Sequence, residues 1–442
     1  MIKNIQELHQ FLPSINGASR SKNHFCETMG LLGVAIYAFS FPFSKDLCYV
    51  GEWLMLGAFV LSLPHIWPIM KNDPLWIAFV AFLIFMLFKA ILTLVAYSGD
   101  LGEVLNAIRW RARFLWLFIV AWWVGGTKSS ILRLMAFALV GFLILLLIGY
   151  EPHLFQKIMR GMRVGFGLNP QHFSLFAATA LCGCLFFAKN FWGTRYRYAR
   201  IVIWSLLVSW LLVLIIASQV RATWIAVIAV LVSSGTYALF AVLFNEAKKR
   251  SMHMVLGLIF LGVLLGVGYH FFHEPLHNRV YRDWDSVNNM ISSGFENIDP
   301  TTSSGIRMTL WKWAVDKIKQ HPIVGWKIDN SSRDYLGKEG LDKRVAKFHH
   351  VHNSYLEILL NQGVLGFALF LFFPCYVIFS VSSCYRREKI PFHYYAFFLS
   401  VVILFSIVNL FEAYFTTWLF WPYFSVFWGG FYSFALWSRK NP

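Results

Sequence analysis

The chain is short of charge. Asp, Glu, Lys and Arg make up only 14% of its 442 residues, whereas the hydrophobic share is 58% and the mean hydropathy is +0.56. A soluble fold needs roughly a quarter of its residues charged to cover its surface, so a soluble globular protein is excluded. Alternation of polar and apolar residues is missing too. The apolar runs are continuous, and that excludes a membrane β-barrel. The six cysteines (Cys26, Cys48, Cys182, Cys184, Cys375 and Cys384) form no Cys-x-x-Cys pair and no metal-ligand spacing, so neither a disulfide nor bound zinc is expected. The first 25 residues lack a small-residue cleavage site, which argues against a cleaved signal peptide. Internal repeats are absent by eye, and this weakens any reading as an inverted-repeat transporter.

What is present is a series of apolar runs of about 18 to 22 residues, the length a bilayer core demands of a helix. They predict an all-α polytopic membrane protein of about twelve spans, at 27–43, 48–67, 75–97, 113–126, 131–149, 172–191, 200–217, 223–244, 254–272, 362–382, 393–411 and 417–437. The net charge of +17 comes from 39 Lys and Arg against 22 Asp and Glu. In such a protein basic short loops on the cytoplasmic side account for much of that excess, and nucleic acid is not an expected partner. The basic residues fall mainly in the segments that are cytoplasmic if both termini are. The expected division is 1–272 as spans one to nine, 273–361 as a large loop on the opposite face, and 362–442 as spans ten to twelve.

Three polar patches share that opposite face. The first is Ser218-Gln219-Val220-Arg221-Ala222-Thr223, between two apolar helices. Its arginine is either a snorkelling helix terminator or an anchor for an anion, since a guanidinium grips phosphate with paired donors. The second, Ser303-Ser304-Gly305-Ile306-Arg307, opens an amphipathic stretch, Arg307 to Lys319, that His321-Pro322 ends. It reads as an ordinary helix cap with a solvated arginine, or as a cradle of amides and charge for phosphate. The third runs from Phe348 through His349, His350, Val351, His352 and Asn353 to Glu357, Gly363 and Gly366. A histidine titrates near neutrality and suits a general base; the alternatives are a structural cluster or a metal site, and no metal is assigned.

The run HHVHNSYLEILLNQGVLG, with QVRAT upstream and SGIRMTLWKWA between them, resembles the O-antigen ligase family of bacterial envelopes. That family belongs to a superfamily that also holds O-antigen and exopolysaccharide polymerases and protein O-oligosaccharyltransferases. The resemblance implies a metal-independent, inverting glycosyltransferase without cofactors. Its donor would be a glycan on undecaprenyl pyrophosphate and its acceptor the lipid A–core oligosaccharide. It further implies a multi-pass protein of the bacterial inner membrane, in contact with membrane lipids, whose large loop and active site face the periplasm. By the same resemblance His352 would be the base, and Arg221 and Arg307 would hold the pyrophosphate. His350, Asn353, Asn169, Arg163, Arg282 and Glu357 are the expected substrate-binding residues. Arg109, Arg111 and Arg113 have no firm counterpart. Two rival readings are a polymerase of the same superfamily, which differs in its acceptor, and a transporter of lipid-linked glycans. A transporter would place its ionisable residues within the spans, rather than gathered at one boundary.

Overall fold

The computed structural model describes residues 23–150, 152–160, 162–188, 196–244, 298–329, 331–337 and 340–440, with isolated positions between 262 and 293. Among these residues every regular element is helical and no strand occurs. The chain begins with α1 (His24–Ser40) and α2 (Lys45–Leu61), then α3 (Leu63–Met70), α4 (Pro74–Ala96), α5 (Leu101–Arg111), α6 (Leu115–Val124) and α7 (Lys128–Ile148). The short α8 (Leu154–Met159) precedes α9 (Pro170–Phe186), α10 (Arg197–Ala217) and α11 (Arg221–Phe244). The polar segment that follows contributes α12 (Ser303–Gln320), α13 (Ser331–Leu336) and α14 (Lys343–Ala346). The chain closes with α15 (Ser354–Arg386), α16 (Phe392–Val408), α17 (Phe420–Phe424), a π-helical turn at Ser425–Gly429 and α18 (Gly430–Lys440).

Local chemistry sets where these helices start. Asp73 accepts a hydrogen bond from Leu75 N, with Pro74 as the first helical residue, and Asn169 does the same for Gln171 N ahead of Pro170. Thr302 caps α12 through Gly305 N, and Asn353 caps α15 through Tyr355 N and Leu356 N. A short polar oxygen at this position satisfies amides the helix cannot, and a proline there gives up no hydrogen bond.

Four described helices, α4, α7, α10 and α15, are long and apolar enough to cross a membrane. A fifth arises if α2 and α3, bent by 83°, count as one broken span. The twelve expected spans are thus not all matched by helices of spanning length. The run at 172–191 becomes the 17-residue α9, and the run at 417–437 breaks at the π turn. Of the expected span at 254–272 only isolated positions are among the described residues.

The polar segment has a small core of its own. Leu310, Trp313, Leu336, Val345, Val351 and Leu360 pack together, separate from the large apolar core of the helical body. It is seated on that body by directed bonds. Lys89 of α4 donates to the Trp326 carbonyl at 2.8 Å, and Thr93 Oγ1 accepts from Ile328 N at 2.9 Å. Arg111 at the end of α5 grips Asp329 with two bonds, at 2.9 and 2.7 Å. Gly363 then bends α15, with φ of 63° that side chains rarely tolerate. The amides of Val364 and Leu365 donate to the carbonyls of Pro322 and Ile323 at 2.8 and 3.1 Å. The bend is therefore a docking point, and a Cβ at Gly363 would lie 2.3 Å from the Ile323 oxygen.

Candidate active site

A cavity of about 440 Å³ is lined by residues of the first two polar patches, from Gln219 to Ala222 and at Ser303, Ser304 and Arg307. Gln219 sits in the turn between α10 and α11 with φ of 53°, and that turn places Arg221 as the first residue of α11, on the cavity wall. Arg307, one turn into α12, lies on the same wall and donates to Ser303 Oγ at 2.8 Å. Arg163 is the third arginine there, and its Nε donates to the Ser218 carbonyl at 3.3 Å. Glu412 and Tyr414 complete the wall from the irregular stretch after α16, where the Tyr414 hydroxyl donates to the Gln171 carbonyl at 2.6 Å.

His352 adjoins this cavity through Glu412 and is not itself one of the lining residues. Its Nδ1 lies 3.1 and 3.2 Å from the two carboxylate oxygens of Glu412. His350 Nε2 stands 3.7 Å from the same carboxylate, and the two imidazoles meet edge to face at 4.3 Å. The backbone at His352 is left-handed, with φ of 51°, a conformation that needs support from its surroundings. That support is visible on both sides. His352 N donates to His350 Nδ1 at 3.3 Å, and Ser354 Oγ donates to the Glu412 carbonyl at 3.1 Å. Val351 N donates to Glu357 at 3.0 Å, and the Val351 carbonyl accepts from Trp311 Nε1 at 3.0 Å.

The titrations follow from this geometry. Burial, aided by His352, lowers the His350 imidazole from 6.5 to about 4 despite the nearby carboxylate. Burial alone would raise the Glu412 carboxyl. The hydrogen bond with His352 and the two rings' charge outweigh it and hold the group below the ordinary carboxylate range. An ionised Glu412 accepts only, so the proton between it and His352 belongs on Nδ1. In the neutral ring the lone pair is then the one on Nε2. The same three side chains bring donor atoms within 4.8 Å of one another, close enough to ligate a cation.

The expected site residues divide by what their side chains touch. Arg163, Arg221 and Arg307 line the cavity, while His350 and His352 flank the carboxylate that also lines it. Asn169 and Asn353 cap helices. Glu357 is 3% exposed and bonds to Ser332 Oγ, Val351 N and Asn361 Nδ2, all within the protein. Arg282 lies outside the described residues. Glu412 was not expected from the sequence, where only Glu357 stands near the histidines. One signal points to it: Glu412 is the sole acidic residue after Glu388, set in an otherwise apolar stretch.

Residues 206–371 match the O-antigen ligase family. The matched stretch starts within α10 and ends within α15, and so takes in Arg221, Arg307 and His352 but not Glu412. The chain is also 36% identical over 74 residues to a Rickettsia prowazekii protein named "Putative polysaccharide ligase", covering 16% of this chain and 18% of that one. A Rickettsia conorii protein of the same name is 34% identical over 74 residues, again 16% and 18% of the two chains. An uncharacterised Haemophilus influenzae protein is 30% identical over 92 residues, 20% of this chain and 23% of its own. The chain thus spans about a fifth of the length of the curated relatives it matches.

Proposed function

We propose that this protein is an inner-membrane glycosyltransferase of the O-antigen ligase type. It moves a glycan from undecaprenyl pyrophosphate to the lipid A–core oligosaccharide at the periplasmic face. One observation carries the reading: Arg221 and Arg307, far apart in sequence, line one cavity whose wall includes the carboxylate bonded to His352. The match to the O-antigen ligase family over the same residues supports it.

In this reading the two guanidiniums take the pyrophosphate, with Arg163 beside them. An acceptor hydroxyl gives its proton to His352 Nε2 as its oxygen bonds to the anomeric carbon. The bond from that carbon to the phosphate oxygen breaks, and its electron pair leaves with the pyrophosphate. Fixed cations stabilise the charge that develops there. A single displacement inverts the anomeric configuration. The Glu412 carboxylate accepts the hydrogen bond from His352 Nδ1–H and faces the imidazolium that forms.

Purified protein in nanodiscs, given an undecaprenyl-pyrophosphate glycan and rough lipopolysaccharide, should yield glycan-capped lipopolysaccharide. His352→Ala should abolish the product while the protein remains folded and inserted. Undiminished transfer by that variant would remove the reading. Growth of the glycan with donor alone would assign the protein to polymerisation instead.

A further inference from the structure

The cavity has a second character besides its charge. Arg307 and Trp311 are four residues apart on α12, so their side chains leave the same face about 6 Å apart along the axis. Trp311 is half-buried, and its indole N–H donates to the Val351 carbonyl at 3.0 Å. That bond fixes the ring and uses the donor which an interfacial tryptophan would present to headgroups. Phe411 stands beside it, ring centroids 6.2 Å apart and planes tilted by 43°, and it too lines the cavity. The next residue is Glu412. The wall thus runs from arginines to a pair of aromatic rings, and the aromatic end adjoins the residues that bear His352.

We infer that Trp311 and Phe411 form the platform for the first sugar ring of the donor, the ring bonded to the pyrophosphate. This rests on the glycosyltransferase reading and adds a subsite to it. A pyranose has one face of polarised C–H groups and a rim of hydroxyls. The negative face of an indole attracts the first and leaves the second free. One helical turn matches the span from a phosphate to the centre of the sugar it carries. With the pyrophosphate on Arg307, the ring therefore lies over Trp311 and its anomeric carbon falls between them. Val351, which holds the indole, directly precedes His352 in the chain, so the platform and the base share one support.

The test compares wild type, Trp311→Ala, Trp311→Phe and Arg307→Ala in nanodiscs. Each is measured for the KM of the glycan donor and for inhibition by undecaprenyl pyrophosphate carrying no sugar. Trp311→Ala should raise the donor KM about tenfold, with inhibition by the bare lipid pyrophosphate unchanged within about twofold. Trp311→Phe keeps a ring but loses the bond to Val351, and it should return the KM to within about threefold of wild type. Arg307→Ala should weaken both ligands. The platform is overturned if Trp311→Ala weakens the sugar-free lipid as much as the donor, or leaves the donor KM unchanged. It is equally overturned if Trp311→Phe is as impaired as Trp311→Ala, because the hydrogen bond and not the ring face would then matter. A wild-type protein that transfers no glycan would sink the glycosyltransferase reading itself, and this inference with it.

Discussion

His352 and Glu412 are 60 residues apart in sequence, yet the imidazole Nδ1 rests within 3.2 Å of both carboxylate oxygens. The pairing fixes the ring's tautomer and its direction together, since one nitrogen is committed to the carboxylate and the other is not. Glu412→Gln keeps the shape and removes the charge, and an amide can present either its oxygen or its nitrogen to Nδ1. With the tautomer no longer enforced, kcat should fall about a hundredfold while the donor KM moves little. Glu412→Asp should retain part of the lost rate. A chelator should leave wild-type turnover unchanged. Activity lost to chelation and restored by zinc would assign the three donor atoms to a metal instead.

The arginines should separate by chemistry as well as by position. Arg221→Ala and Arg307→Ala each remove a fixed cation from the cavity, and each should lower kcat/KM by about two orders of magnitude. Lysine at either position keeps the charge but not the two-pronged donor geometry, so it should restore only part of the activity. Equal activity in the alanine and wild-type proteins would show that the cavity does not hold an anion during turnover.

How much of this was legible from the sequence depends on the distance over which each signal acts. Arg221, Arg307 and His352 stand in polar patches between apolar runs, and composition alone draws attention to them. Glu412 and Trp311 do not announce themselves. Their significance comes from the irregular stretch after α16 folding back onto the start of α15, where Ser354 N donates to the Asn409 carbonyl at 2.9 Å. Asn169 and Asn353 pose the opposite difficulty. An asparagine ahead of a helix looks the same in sequence whether it caps the amides or meets a substrate, and here both side chains cap. Hydropathy finds apolar runs but not where they break, so the bend between α2 and α3 and the π turn at Ser425–Gly429 were invisible to it.

Acid should weaken the site before it weakens the rest of the polar segment. The His350 imidazole is lowered to about 4 in the folded protein, against 6.5 when free. Between those values the unfolded chain binds a proton that the folded one does not, so stability is full above pH 6.5 and falls on acidification through the window. The loss is on the order of 3 kcal/mol once both states have titrated. Glu412 acts in the same sense at lower pH, because its carboxyl is held below its ordinary 4.5 and stabilises only while ionised. His350→Asn, which can still accept the His352 amide, should flatten the fall in thermal stability between pH 7 and pH 5. An unchanged slope in that variant would show that His350 is not its source.

The seat of the polar segment offers a last test, in Arg111. Arg111 is 5% exposed, and its guanidinium holds both oxygens of Asp329 and lies 5.0 Å over the ring of Phe415. It thereby joins α5, the loop before α13 and the stretch that carries Glu412. Removing one member of such a pair leaves the other charge poorly solvated, so Arg111→Ala should cost about 3–5 kcal/mol in unfolding. Asp329→Asn in the same chain removes the stranded charge and should recover part of that cost, which a double-mutant cycle resolves. Because the pair ties the segment to the helical body, the single variant should also open the segment to proteolysis near residue 329. A single variant as stable and as protease-resistant as wild type would mean that the seat does not depend on this pair.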